Sequence, residues 1–178
     1  MRPQTPSQTV GPFFHPSLRW AIGASDAPLA DGESLVTGTI TDGRGDIISA
    51  AMLEIWQPHA AASRGASVPP GFQRIFADQE GRFRFRVSPA PEGLAVSHVT
   101  VFSLGLMGAL RTRVYVGASP DDLRQVDALR SVPDERLGTL IASKTDQPRS
   151  FWWPVRLQGE GETVFFAIDF GAPAAPAI

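Results

Sequence analysis

Residues 82–87 read RFRFRV, and alternation this strict is compatible with one backbone conformation. Successive strand side chains point to opposite faces, so Phe83, Phe85 and Val87 share one face and Arg82, Arg84 and Arg86 the other, as in a strand half in a core and half in water. The turn DQEG stands directly before it. Short β-branched or aromatic runs closed by turn residues recur from Leu35 onward: LVTGTIT, the loop DGRGD, then IISAAMLEIWQ, which together read as a β-hairpin. Further strands are expected at 96–104, 111–116, 138–143, 152–158 and 163–169. Only Ser119-Pro120-Asp121-Asp122-Leu123 carries a helix start, with a serine cap, proline in the first turn and acids at the positive end. A second short turn is expected near Pro133-Asp134-Glu135. The pattern predicts an all-β fold, an antiparallel β-sandwich with one or two short helices.

A chain of 178 residues fits one domain, 1–178. Its first stretch, residues 1–34, is rich in proline and glycine and lacks periodicity, so it reads as an extended N-terminal arm. The apolar residues Pro12, Phe13, Phe14 and Trp20 have no local core and call for a surface to dock on. The tail 171–178 reads as frayed. A net charge of −2 with pI ≈ 5.9 gives no basic field for nucleic acid or an acidic membrane, which leaves a small ligand or another protein. With no cysteine there is no disulfide framework or thiolate, and the chain leans to the cytoplasm. The start lacks the apolar stretch of a secretory signal, and the uncharged run 93–110 is too broken by polar residues and glycine to span a bilayer.

The chemistry-bearing residues are sparse. His15, His59 and His98 are nowhere at metal-ligand spacing, and Glu54, Glu92, Glu160 and Glu162 are scattered. Arg44-Gly45-Asp46 spells an adhesion motif, but a tight loop needs those residue types for its backbone alone. No nucleophile elbow, Walker loop or zinc helix is present. The most telling stretch is SHVTVF at 97–102. His98 and Thr100 share a strand face with Val96 and Phe102, where His-x-His would grip a metal and His-x-Thr does not.

Three separated stretches carry a resemblance. Residues 5–13, TPSQTVGPF, are similar to a TPSQTxGPY opening; LEIWQPHA at 53–60 resembles LEVWQADA or LEMWQADA; and 156–166, RLQGEGETVFF, matches RIQGEGETVFF almost letter for letter. In this order they identify the chain as similar to the alpha chains of the protocatechuate 3,4-dioxygenases, within the intradiol ring-cleaving family. The resemblance implies a shared sandwich fold and insertion of both atoms of O2 into protocatechuate to give 3-carboxy-cis,cis-muconate. It implies non-haem Fe(III) held by two tyrosines and two histidines, all from a beta-chain partner, in a higher alpha–beta oligomer.

Against the iron-binding pattern, a segment like PGPYP followed by H-x-H, this chain sets Pro89-Ala90-Pro91-Glu92-Gly93 and His98-Val99-Thr100. The ligand tyrosine is replaced by Glu92 and the second histidine by Thr100, leaving His98 as a structural remnant satisfied by local hydrogen bonds. Glu92 with His98 as a weak cation pair ranks below that reading. One tyrosine, Tyr115, stands where such a site needs two, and it matches a framework strand. The chain therefore offers no catalytic residues of its own and no metal site. By resemblance Thr9, Pro12 and Phe13 wall the partner's pocket, with Phe13 lacking the hydroxyl of the usual tyrosine, and Arg113 favours a carboxylated catechol. The alternative is a non-enzymatic β-sandwich binding module derived from the same family.

Overall fold

The computed structural model describes residues 9, 11, 29–49, 51–60 and 69–167. Nine strands follow in order: β1 (Ser34–Thr41), β2 (Ala51–Trp56), β3 (Phe72–Phe76), β4 (Arg82–Val87), β5 (Ala95–Ser103), β6 (Leu110–Val116), β7 (Ile141–Lys144), β8 (Ser150–Trp152) and β9 (Val155–Arg156). Hydrogen bonding runs β3-β2-β5-β6-β7-β8-β1-β4, with β9 also on β1. One layer is thus β3-β2-β5-β6 and the other β8-β1-β4, and β7 bridges them by pairing with β6 and β8. The all-β sandwich expected from the sequence is present, though not purely antiparallel: β1 runs parallel to β8 and β9, and β6 parallel to β7.

Between the layers lie the alternating residues that the pattern assigns to the core, among them Val36 and Ile40 of β1, Leu53 and Ile55 of β2, Phe83 and Phe85 of β4, and Val99 and Val101 of β5. Arg82 and Arg84 point away from it. Arg86 also faces outward but is buried, its guanidinium 3.9 Å from the equally covered Glu33 carboxylate. Trp153 sits at the centre, fully buried, edge-on to Phe83 and Phe85. Opposite it Gly38 leaves room for nothing larger, because a Cβ there would meet the Trp153 carbonyl oxygen at 2.0 Å.

At the open side of the sandwich β3 and β4 are not strand partners. The Gln73 amide joins them instead, donating to the Arg86 carbonyl at 2.7 Å and accepting from the Arg86 N–H at 3.0 Å. A side chain here supplies the pairing that the backbone edges lack.

Four strand expectations are corrected. LVTGTIT and IISAAMLEIWQ do not form a hairpin beyond the single bridge between Thr41 and Ile47. Both edges of β1 are already taken, by β4 and by β8 with β9, so β2 crosses to the other layer and pairs with β3 and β5. The loop DGRGD still turns as its residue types require: the Asp42 carboxylate accepts from the Arg44 and Asp46 N–H groups. The run 152–158 breaks into β8 and β9 at Pro154. Residues 138–140 form a 3-10 turn before β7, and 163–167 are extended but not a strand.

The two expected helices are α1 (Pro120–Arg124) and α2 (Asp134–Leu137). Ser119 caps the first reciprocally with Asp122, as its sequence foretold. With a 3-10 turn at Asp127–Leu129 they form a layer beside β6, where Leu123, Leu129, Leu137 and Leu140 enclose Tyr115. No helix among the described residues is long and apolar enough to cross a membrane. The terminal arm, apart from Thr9, Gly11 and its last residues, and the tail 171–178 lie outside the described residues.

Candidate functional site

Strand parity builds the site. In β5 the residues Ser97, Val99, Val101 and Ser103 are buried, which turns Val96, His98, Thr100 and Phe102 to the outer face. Across the sheet His98 stands opposite Trp56 of β2 and Arg113 of β6, and Trp56 in turn opposite Phe72 of β3. The neighbouring row is Arg74, Glu54, Thr100 and Arg111. Arg74 and Glu54 close on each other as an ion pair. Trp56 is 42 % exposed, so this row presents an aromatic ring, an imidazole and a guanidinium side by side to the outside.

Arg113 is half-buried, and among the described residues no carboxylate pairs with it. Its guanidinium carbon lies 5.0 Å from the ring centroid of Phe166, within cation–π range. Phe166 is anchored in turn, its N–H donating 2.7 Å to the Arg111 carbonyl. This contact was not foreseen from the sequence, although Phe166 closes the RLQGEGETVFF stretch.

The structure therefore brings His98, Thr100 and Arg113 together on one face. Glu92 does not join them; it is exposed in the β4–β5 connection. Thr9 is exposed. Pro12 and Phe13 lie outside the described residues. Among the described residues no hydrogen bond reaches the His98 ring. It is half-buried instead, and burial first, then the Arg113 guanidinium, holds it below its ordinary value of 6.5.

That shift has a measurable consequence. Where the unfolded chain takes up a proton near pH 6.5, the folded ring stays neutral. The stability tied to the neutral ring is complete above 6.5 and is lost as pH falls through 6.5 toward the lower folded value. The charged groups facing it are Arg111 and Arg113 on β6 and Glu54 on β2. Urea unfolding midpoints should fall below pH 6.5 in the wild type and stay flatter over that window in His98→Gln. Asp42, held below 3.8 by the Arg44 and Asp46 N–H groups, and Asp122, held below 3.8 by Ser119, release their share only in stronger acid. Parallel wild-type and variant curves would show that the imidazole is not coupled to folding.

Ferric iron, which the resemblance implies, can be tested against these donors. No group of three or more His, Cys, Asp or Glu side chains is gathered among the described residues. The single tyrosine lies on the same sheet face, opposite Val96, but it is 4 % exposed and covered by the leucines of the helical layer, so its phenol is packed in apolar surroundings. A hard trivalent ion favours anionic oxygen, and here the row around His98 supplies an indole and a cation. The donor set does not fit a ferric centre.

No family model matches the chain. It is 34 % identical to the protocatechuate 3,4-dioxygenase alpha chain of Burkholderia cepacia, over 93 % of this chain and 98 % of that one. It is 29 % identical to the protocatechuate 3,4-dioxygenase alpha chain of Pseudomonas putida, over 92 % and 96 %. Among solved structures, the dioxygenase domain of a dioxygenase carbohydrate-binding protein fusion from Streptomyces sp. SirexAA-E superposes with a TM-score of 0.55 at 20 % identity, covering 87 % of this chain and 98 % of that one. Catechol 1,2-dioxygenase from Pseudomonas arvilla C-1 gives 0.51 at 18 % identity, covering 76 % and 55 %. These two speak to the fold. The full-length relatives, the quoted motifs and the sandwich agree, and the chain belongs to the protocatechuate 3,4-dioxygenase alpha-chain family.

Proposed function

We propose that this chain is the non-iron-binding subunit of an intradiol dioxygenase and that it lends a wall to the pocket of an iron-binding beta chain. The reaction of the assembled enzyme is cleavage of protocatechuate by O2 to 3-carboxy-cis,cis-muconate. Fe(III) belongs to the partner, where it supplies the coordination chemistry. In this chain Thr9, Pro12 and Phe13 line the cavity and exclude water, and Arg113 draws the substrate carboxylate. The single observation that supports the reading is the mismatch of donors: the open part of the outer face holds Trp56, His98 and Arg113, and the lone tyrosine at its end is covered by the helical layer. On this face the one carboxylate, Glu54, is taken by Arg74, and a face whose remaining charge is cationic favours an anion over ferric ion. A cytoplasmic setting accords with the lack of cysteine.

The test is reconstitution. Mixed with its cognate iron-binding chain, the protein should co-elute on size exclusion and restore turnover of protocatechuate, and deletion of residues 1–14 should weaken both. A stable monomer that neither binds that chain nor alters its activity would favour the free-standing binding module and contradict the proposal.

A further inference from the structure

We propose that Phe166 is a positioning residue that fixes the Arg113 guanidinium on the outer face of β6 to receive a carboxylate. The proposal rests on the reading of Arg113 as a pocket residue and names the side chain that holds it there. Arginine has a long, rotamer-rich side chain, and left free it would spread its charge over many positions. Here the guanidinium carbon is 5.0 Å from the Phe166 ring centroid. That contact sets the charge over the ring face of Phe166. Among the described residues no acid pairs with the guanidinium N–H groups.

The backbone that carries the ring is fastened at Phe166 and two residues before it. The Phe166 N–H donates 2.7 Å to the Arg111 carbonyl on the same strand as Arg113, and the Val164 N–H donates 3.1 Å to the Thr139 hydroxyl. Phe166 is therefore fastened to β6 within two residues of the cation it holds. Across the strand pair His98 faces Arg113, so the imidazole reports on where the guanidinium stands. A guanidinium held over a ring and without an acid among the described residues matches a planar anion, and a carboxylate meets it with two parallel hydrogen bonds. That carboxylate comes either from the substrate or from a side chain of the partner.

The experiment compares wild type, Phe166→Leu and Phe166→Tyr. In the full-length chain, NMR titration of His98 reads the placement of Arg113 without any partner or iron. Phe166→Leu frees the cation and moves the His98 midpoint upward, and Phe166→Tyr, which keeps the ring, restores it. In the complex with the cognate iron-binding chain, Phe166→Leu lowers the preference for protocatechuate over unsubstituted catechol by about 3- to 10-fold, the size of a partly desolvated cation–π contact, if the carboxylate is the substrate's. If it is the partner's, the preference holds and assembly weakens by a similar factor. An unchanged His98 titration in Phe166→Leu overturns the positioning role, whether or not the complex is active. A shifted titration with both preference and assembly unchanged overturns the carboxylate as ligand.

Discussion

Replacing Arg113 by alanine should raise KM for protocatechuate and leave kcat nearly unchanged, lowering kcat/KM by about 10- to 150-fold, the ~1.5–3 kcal/mol carried by a hydrogen bond to a charged group. The substrate carboxylate is remote from the bond that breaks, so its contact contributes equally in ground and transition state and appears in KM. Turnover of unsubstituted catechol, which lacks the carboxylate, should not change. Arg113→Lys should recover part of the loss, since an ammonium keeps the charge without the fork geometry. The half-buried guanidinium lies on the outer strand face with no acid partner among the described residues, so its removal orphans no carboxylate among them. Steady-state kinetics on the reconstituted complex decide the matter, and unchanged KM in Arg113→Ala removes this residue from the pocket.

Trp153→Ala should cost about 3–5 kcal/mol of stability, the range for emptying a large aromatic site in a packed core. Domains of this size hold only ~5–15 kcal/mol in total, so the loss is a large fraction of it. Three separate attachments fail together. The ring packs edge-on against Phe83 and Phe85 at centroid distances of 6.1 and 6.4 Å. Its indole N–H donates to the Thr139 carbonyl at 2.9 Å, and the Thr139 hydroxyl receives the Val164 N–H, so the sandwich core is linked to the helical layer through this residue. Trp153→Phe should retain most of the packing but leave the Thr139 carbonyl unpaired, at about 1–3 kcal/mol. Urea unfolding of the full-length chain reads both, and a Trp153→Phe midpoint equal to that of the wild type would show that packing alone, without the hydrogen bond, holds this position.

Periodicity made the long strands legible. RFRFRV and SHVTVF declare their buried faces because a two-residue repeat leaves little choice, and the same parity placed His98 and Thr100 together before any coordinates. Strand β3 escaped notice because its buried positions include Gln73 and Arg74, polar residues that read as loop until their partners across space are known. The Gln73 amide closes an edge and Arg74 pairs with Glu54, and neither partner is near in sequence.

The hairpin expectation failed for a related reason. DGRGD specifies a turn but not which edges of β1 are vacant, and those were filled by β4, β8 and β9 from far along the chain. Parallel pairing of two- to four-residue strands leaves almost no local trace. At the site, Arg113 was legible through its motif, whereas its contact with Phe166 spans 53 residues of chain and exists only once β6 and the closing segment meet.

The central claim is that this chain contributes a wall and a cation while the metal belongs to its partner. The direct measurement is iron content and visible absorption of the full-length chain purified alone, set against the reconstituted complex. The account predicts a colourless chain with no bound iron and no ring cleavage, and a red-brown complex whose iron follows the partner chain mole for mole. Stoichiometric iron with a tyrosinate charge-transfer band in the chain alone would contradict it.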